Sequence, residues 1–259
     1  MNQAAARVAT ARRWFRQLGH DVIAAAPGVS IIATPDYPDT WDANFATVDP
    51  GASRDALFTA LDRHLPHSHW QAVAADALTD PAIEAALALA GHIAEPPLIE
   101  LIAQTPLAAR HPLPPVSMQR VADAPGWAAF AALVDADNRE NMRSFDASVA
   151  AGLLAGMRRR TPPADYWLIA EQERGPPIGY GLTIACPNGL GLIESLFVLP
   201  DHRGRGVISA FILWAADRLR DAGCDALFID ALAGGAPARL YAALGFTPVS
   251  LTRTWVRHP

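Results

Sequence analysis

The apolar positions of this chain change period several times, and each change marks an element. Residues 4–18 set Val8, Trp14, Phe15 and Leu18 on a helical repeat that stops at Gly19. Residues 29–33 are a short β-branched run closed by Pro35, and residues 42–48 read as a second strand. Residues 53–64 carry Leu57, Phe58 and Leu61 on one helical face behind Ser53 as N-cap. A strand is expected at 71–74. The helix at 80–90 has Asp80 as cap, Pro81 at its first position and Gly91 as its stop. Another strand follows at 98–103. The proline-bearing stretch 106–115 lacks ladder donors and reads as a linker.

Beyond the linker the pattern is regular. Strand 116–121 precedes helices 124–137 and 145–159. Strands 166–171 and 178–185 flank a Gly175-Pro176-Pro177 turn, which predicts a hairpin. Then come strand 190–199, helix 207–222 ending at Gly223, strand 226–230, helix 236–244 and strand 246–253. Antiparallel strands come first and a helix-linked pair later. The expected class is therefore α/β (α+β), with a mixed, mostly antiparallel sheet flanked by helices. The linker predicts two domains, residues 1–112 and 113–259.

Composition narrows the class of function. The chain has 259 residues, 51% of them hydrophobic and 18% charged, which describes a folded globular protein. A net charge of −5 argues against nucleic acid as main partner, and no apolar run is long enough to expect a membrane span. Cys186 and Cys224 read as reduced thiols of a cytoplasmic protein. Arg7, Arg12, Arg13 and Arg16, with no acid among them, fit a transit peptide or a first helix, and Gly19 favours the helix. His64, His67 and His69 match no closed zinc spacing and read as a polar loop, so no metal is expected. Arg158, Arg159 and Arg160 read as a solvated helix end.

The chemistry concentrates in the sequence LIESLFVLPDHRGRGVIS, residues 192–209. A strand, a basic glycine-bearing turn and a helix start together aim unpaired N–H groups and a helix dipole at one point, which suits phosphate. Two readings compete. Gly204-x-Gly206-x-x-Ser209, with Asp230 at the end of the next strand, loosely mimics the dinucleotide fingerprint. Against it, Pro200 to Arg203 separate the strand from the first glycine.

The second reading uses more residues. Val198-x-Pro200-x-x-Arg203-Gly204-x-Gly206 before a helix, then Leu240-Tyr241-x-x-Leu244-Gly245-Phe246, resembles the GNAT superfamily of acyl-CoA-dependent N-acyltransferases. The resemblance covers residues 116–259. It implies the GNAT fold, acetyl-CoA as co-substrate and direct attack by an amine of a small-molecule or peptide acceptor. The pyrophosphate would lie on Arg203, Gly204, Arg205, Gly206, Val207, Ile208 and Ser209. The pantetheine arm would pair with the strand end, Leu196, Phe197 and Val198, where a bulge splays the strand and a backbone N–H polarises the acyl carbonyl.

In the same resemblance Tyr241 matches the general acid. Glu194 matches a base that works through water, or else belongs to a structural ion pair; Asp230 is the alternative base. Simple strand alternation puts Glu194 on one face with Leu196 and Val198. The acceptor is expected at residues 138–147 and the first half. Ile208 and Gly234 depart from the family pattern, and they keep a non-catalytic acyl-CoA sensor as the rival reading. The order of elements over 71–103 echoes that over 226–253. This predicts that the first half is a degenerate GNAT-like copy, or half-GNAT, that completes the acceptor cleft or covers a sheet face.

Overall fold

The computed structural model describes residues 2–141 and 146–258. In chain order the first elements are α1 (Gln3–Gln17), β1 (Val22–Ala26), β2 (Val29–Ile32), β3 (Phe45–Val48), α2 (Arg54–His64), β4 (Gln71–Ala75), α3 (Pro81–Leu89), β5 (Ile93–Ala94) and β6 (Leu98–Ala103). Then follow β7 (Ser117–Arg120), α4 (Ala124–Asn141), α5 (Ala147–Arg159), β8 (Asp165–Ala170), β9 (Gly179–Ala185), β10 (Leu190–Val198), α6 (Val207–Asp221), β11 (Ala226–Leu232), α7 (Ala236–Leu244) and β12 (Thr247–Arg257).

Contacts divide the chain into two compact units. One is Met1–Glu100, Ala147–Arg160 and Val249–Pro259; the other is Leu101–Asp146 and Thr161–Pro248. The expected limits at 112/113 are a different division: α5 and most of β12, from the second half, pack with the first hundred residues.

In the first unit β1, β2 and β3 are antiparallel, β3 runs parallel to β4, and β12 closes on β4 antiparallel with β5 beside it. Helix α2 links the parallel pair, and its Leu57 and Leu61 join Val29, Ile31, Ala46, Val48, Val73 and Leu87 in one core. Asp80 caps α3 through the Ala82 N–H at 2.8 Å. Ser53 holds the N-cap position of α2 without a side-chain cap bond.

The strand expected from residue 42 starts only at Phe45, because Trp41–Ala43 forms a tight turn. Asn44 pins that turn: its carbonyl accepts the Thr34 N–H, and its amide donates to the carbonyls of Tyr37 and Thr40. Strands β1 and β5 were not legible, being short and alanine-rich or only two residues long. Helix α5 seats against this region through Gly152, where a Cβ would lie 2.4 Å from Thr40 Oγ1. Arg160, expected in solvent, lies with its guanidinium 4.8 Å from the Phe15 ring centroid. His67 bonds Asn44 Oδ1 at 2.8 Å and His69 bonds Asp39 at 2.5 Å, so the histidine loop is spent on separate structural contacts.

In the second unit β7, β8, β9 and β10 are antiparallel and β11 runs parallel to β10, the mixed sheet expected. Its two faces are distinct. Helix α6 covers one, with Phe211 against Gly181 and Leu219 against Gly191. Helix α4 covers the other, where the Phe130 ring meets Tyr166 and Tyr180 at 5.2 and 4.9 Å. Helix α4 runs to Asn141, past the expected end at 137. The expected start of the next helix at Phe145 lies outside the described residues.

Two histidines of the first unit make its stability depend on pH. Burial holds His92 at about 4, below the ordinary 6.5, with Arg257 adding to the effect; burial, then Arg160 and Arg159, hold His20 at about 4. Each native histidine is thus a weaker base than in the unfolded chain. As pH falls through 6.5 the unfolded chain takes up protons first, so stability is full above that pH and drains away down to about 4. Denaturant midpoints measured against pH should fall across this window. His92→Leu should flatten the fall, and a midpoint that does not move there would contradict the assignment.

Candidate functional site

The sequence of β10 carries two opposed demands. Leu190, Leu192 and Ile193 are fully buried, while Glu194, Ser195 and Leu196 are only half-buried. The strand answers with a bulge. Its pairing with β9 shifts register between Glu194 and Phe197, and Ser195 adopts φ +54°, in the left-handed region. On its other side β10 pairs with β11 only from Leu190 to Leu192, opposite Ala226 to Phe228. Beyond those three pairs β10 continues to Val198 and β11 to Leu232 without pairing each other. Two parallel strands thus part beside a bulge.

The bulge corrects the expected facing of Glu194. The Leu196 side chain lies 2.9 Å from where a Gly181 Cβ would stand, and Val198 Cγ2 stands equally near that of Gly179, so both face α6. Phe197 turns the other way, its ring 5.7 Å from that of Tyr180. Glu194 is paired with Leu182, which lies two residues from Tyr180 on the same face of β9. Glu194 therefore shares the α4 face with Phe197, and not the face of Leu196 and Val198. Simple alternation missed this because one extra residue inverts every later position. Asp230 lies three residues beyond Leu227, which sits with Gly191 and Leu219 on the α6 face, so Asp230 faces the Glu194 side.

The strand end also presents backbone groups to the gap. The Phe197 carbonyl lies against Gly179, and the Leu199 N–H donates to Ile178 O at 2.9 Å, so both point to β9. The N–H and C=O of Val198 between them point away from β9. Arg203 Nε donates to that Val198 carbonyl at 2.8 Å.

The turn that follows is built for close approach. Gly204 and Gly206 have φ +73° and +84°, conformations that side chains disfavour. A Cβ on Gly204 would meet nothing within 4 Å. Gly206 is the N-cap of α6 and supplies no side-chain cap, and no acid stands in the first turn. The N–H groups of Val207, Ile208 and Ser209 therefore lack intrahelical acceptors and lie at the positive end of the helix. Val207 and Ser209 are buried, whereas Ile208 is half-exposed. Arg203 grips Glu140 of α4 with both terminal nitrogens, at 2.5 and 2.7 Å. Glu171 bonds His202 at 2.9 Å and Arg205 at 3.3 Å. Arg203 holds the Glu140 carboxyl below its ordinary range, and His202 and Arg205 do the same for Glu171.

Tyr241 sits on α7 and is 5% exposed. Burial, reinforced by the charge of Asp230, raises its phenol well above the ordinary value, so it keeps its proton through the neutral range. Asp137 of α4 accepts a hydrogen bond from the Tyr180 hydroxyl, and burial together with that carboxylate also keeps Tyr180 protonated. Neither Tyr180 nor Asp137 was singled out from sequence, since a tyrosine in an apolar strand reads as core. A cavity of about 590 Å³ between α6 and β8–β9, lined by Asp165, Thr183, Trp214 and Arg218, contains none of the expected site residues. Among the described residues no cluster of three or more His, Cys, Asp or Glu is arranged to hold a metal, and no helix is long and apolar enough to cross a membrane.

Residues 128–246 match the model of the acetyltransferase (GNAT) family. No curated protein matches the chain. A GCN5-related N-acetyltransferase from Kribbella flavida superposes with a TM-score of 0.71 at 16% identity, over 98% of this chain and 96% of that one. A conserved protein of unknown function from Staphylococcus epidermidis gives 0.67 at 14% identity, over 92% and 94%. A tandem GNAT protein from the clavulanic acid biosynthesis pathway, solved without AcCoA, gives 0.61 at 14% identity, over 88% and 78%. At these identities the likeness establishes the fold, which is the GNAT fold, and one of the similar structures is that of a tandem GNAT protein.

The bulge geometry yields a stability test. A Cβ at Gly179 would stand 2.4 Å from the Phe197 carbonyl oxygen, a backbone atom that cannot swing aside. Gly179→Ala should lower stability by about 1–3 kcal/mol, read from denaturant unfolding. An unchanged midpoint would mean that β9 and β10 are not this close at the bulge.

Proposed function

The chain carries a GNAT acetyltransferase-family domain, and on that premise we propose that it is an N-acetyltransferase moving an acetyl group from acetyl-CoA to an amine of a small-molecule or peptide acceptor. The observation that carries this reading is the parting of β10 from β11 beside the uncapped amino end of α6. The gap offers Val198 backbone groups to an amide-bearing arm, as a neighbouring strand would. The turn offers the amides of residues 204–209 to a pyrophosphate. Acetyl-CoA supplies the activated thioester when it is bound.

The remaining steps belong to this chain. Arg203 and Arg205 add positive charge at the turn by exchanging Glu140 and Glu171 for phosphate oxygens. Leu196, Phe197 and Val198 hold the arm, and a backbone N–H near the bulge polarises the acyl carbonyl. Tyr241, kept protonated by burial, gives its proton to the departing thiolate. Glu194, through water, takes a proton from the attacking amine, with Asp230 on the same face as the alternative base. The acceptor meets residues 138–147, of which 142–145 lie outside the described residues. A cytoplasmic location goes with this reading, and Cys186 and Cys224 are both buried free thiols.

The first half is a degenerate repeat in this reading. Its β3–α2–β4 unit repeats the β10–α6–β11 order, yet β3 pairs with β4 from Phe45 to Thr47, all but the last residue of the strand. No gap opens there for a second cofactor.

One observation favours a second reading. Ile208 leaves its side chain half-exposed in the first turn of α6, where a pyrophosphate would lie. Weak or non-productive binding, as in an acyl-CoA sensor, would follow from that bulk. Free-thiol release over a panel of amines, run beside calorimetric titration with acetyl-CoA, separates the two. The acetyltransferase should turn over at least one amine. Tyr241→Phe should cut kcat about a hundredfold or more with little change in acetyl-CoA affinity, and Glu194→Gln should remove the acidic limb of the pH–rate profile. Tight binding with no turnover on any amine would establish the sensor instead.

A further inference from the structure

We propose that the cleft beside the carboxyl end of α6 is a second small-molecule site, and that it takes a guanidinium-bearing ligand. The cleft, about 590 Å³, lies between α6 and β8–β9, a volume that suits a small molecule. It is remote from the turn at residues 204–209. Helix α6 runs from Val207 to Asp221, and at about 1.5 Å per residue its two ends stand roughly 20 Å apart. Three carboxylates, Asp165, Asp217 and Asp221, border the cleft against one cation, Arg218. Asp221 is the last residue of α6 and Asp217 stands one turn before it; both are exposed. The carboxyl end of a helix carries partial negative charge, so carboxylates there are unfavourable and a cation beside them is favoured. Arg220 does little to meet that need: it donates to the Thr105 carbonyl at 2.7 Å and stays 4.0 Å from Asp217.

The wall of the cleft identifies the cation. Trp214 lines it and lies edge-on to Trp167, with ring centroids 4.7 Å apart. The protein sets a guanidinium of its own on this pair: Arg218 Cζ lies 4.7 Å from the Trp167 ring centroid and 5.9 Å from that of Trp214. A planar, weakly hydrated guanidinium stacks on an indole better than a compact ammonium does. Arg218 sits nearer Trp167 and leaves Trp214 to a second cation. Its hold is also loose. Its side chain is 48% exposed and lies 3.6 Å from Asp165, whose other oxygen is taken by Arg120 at 2.6 Å. Trp214, Asp217 and Asp221 follow one another at spacings of three and four, so they share one face of α6. A guanidinium on Trp214 meets carboxylates on that same face, which suit its forked donors. On the opposite wall Thr183 is 3% exposed. Its oxygen accepts from Trp167 Nε1 at 2.9 Å, and its own hydrogen has no acceptor among the described residues. It is placed to donate to a carbonyl of the ligand.

The probe is arginine with its amino group acetylated and its carboxyl group amidated. It keeps the guanidinium and two carbonyls, and without a free amine it cannot serve as an acetyl acceptor. Its binding is therefore read apart from the transfer reaction proposed above. Calorimetric titration of the full chain should give a dissociation constant below about 1 mM. The citrulline counterpart, which has the same shape without the charge, should bind at least about tenfold more weakly. Asp217→Asn combined with Asp221→Asn should loosen binding about tenfold. That double variant should unfold at no lower a denaturant concentration, because both carboxylates oppose the helix dipole. Arg218→Gln should tighten binding by removing a like charge beside Trp214, and Glu194→Gln should leave it unchanged. No binding of the probe overturns the proposal. So does equal binding of the citrulline compound, or full binding by the double variant. Binding lost in Glu194→Gln and kept in the double variant places the probe in the acceptor cleft and overturns it equally.

Discussion

The chemistry of this molecule depends on where one pair of parallel strands stops pairing. β10 and β11 share three residue pairs and then part. An unpaired strand end is normally a cost, because its N–H and C=O groups lose partners. Here the loss is confined to one side. The bulge at Ser195 keeps Phe197 and Leu199 bonded to β9 while Val198 turns its polar groups to the gap. The Arg203 side chain returns to one of them. The same bulge inverts the facing of the strand, so Glu194 comes onto the side of Phe197, Tyr180 and Asp230. Candidate binding groups and candidate acid–base groups thus meet because of a single inserted residue.

The first unit shows what the same element order does without that constraint. Strand β3, helix α2 and strand β4 repeat the parallel unit, but the strands stay paired and the connecting turn is short. The helix start differs as well. Asp55 stands in the first turn of α2, whereas the first turn of α6 holds no acid. A carboxylate there already satisfies the helix dipole and repels phosphate. Asp49, in the turn before α2, is tied up by Arg13. The two strand–helix–strand units share their element order and differ in whether an acid stands in the first turn of the helix.

Much of this was legible from residue pattern. The helix at Asp80 declared itself through cap, proline and terminal glycine, and the chain folds it so. Long apolar strands such as β10 and glycine-stopped helices such as α6 appeared within a residue or two of their expected limits. The turn from Arg203 to Ser209 and the tyrosine in LYAALGF were visible because they depend on local backbone freedom and fixed spacing. Less legible were β1, whose alanines carry no period, and Trp41–Ala43, where Asn44 bonds to residues on both sides and overrides strand propensity. The aromatic and carboxylate partners on α4, Phe130, Asp137 and Glu140, were invisible as a group. They are brought together only by helix packing.

The sequence by itself determined the order of elements, the glycine-bearing turn before an uncapped helix start, and the identity of the residues near it. These follow from local preferences: glycine at positive φ, capping, and the period of apolar side chains. Only the tertiary structure decided which face Glu194 occupies, that Tyr241 keeps its proton beside Asp230, and that α5 and β12 pack with the first hundred residues. Each of those depends on a neighbour far away in the chain. A strand's facing changes with a bulge that pairing imposes, a pKa changes with burial, and a helix joins whichever surface leaves room for it. At Gly152 that room is the missing Cβ beside Thr40.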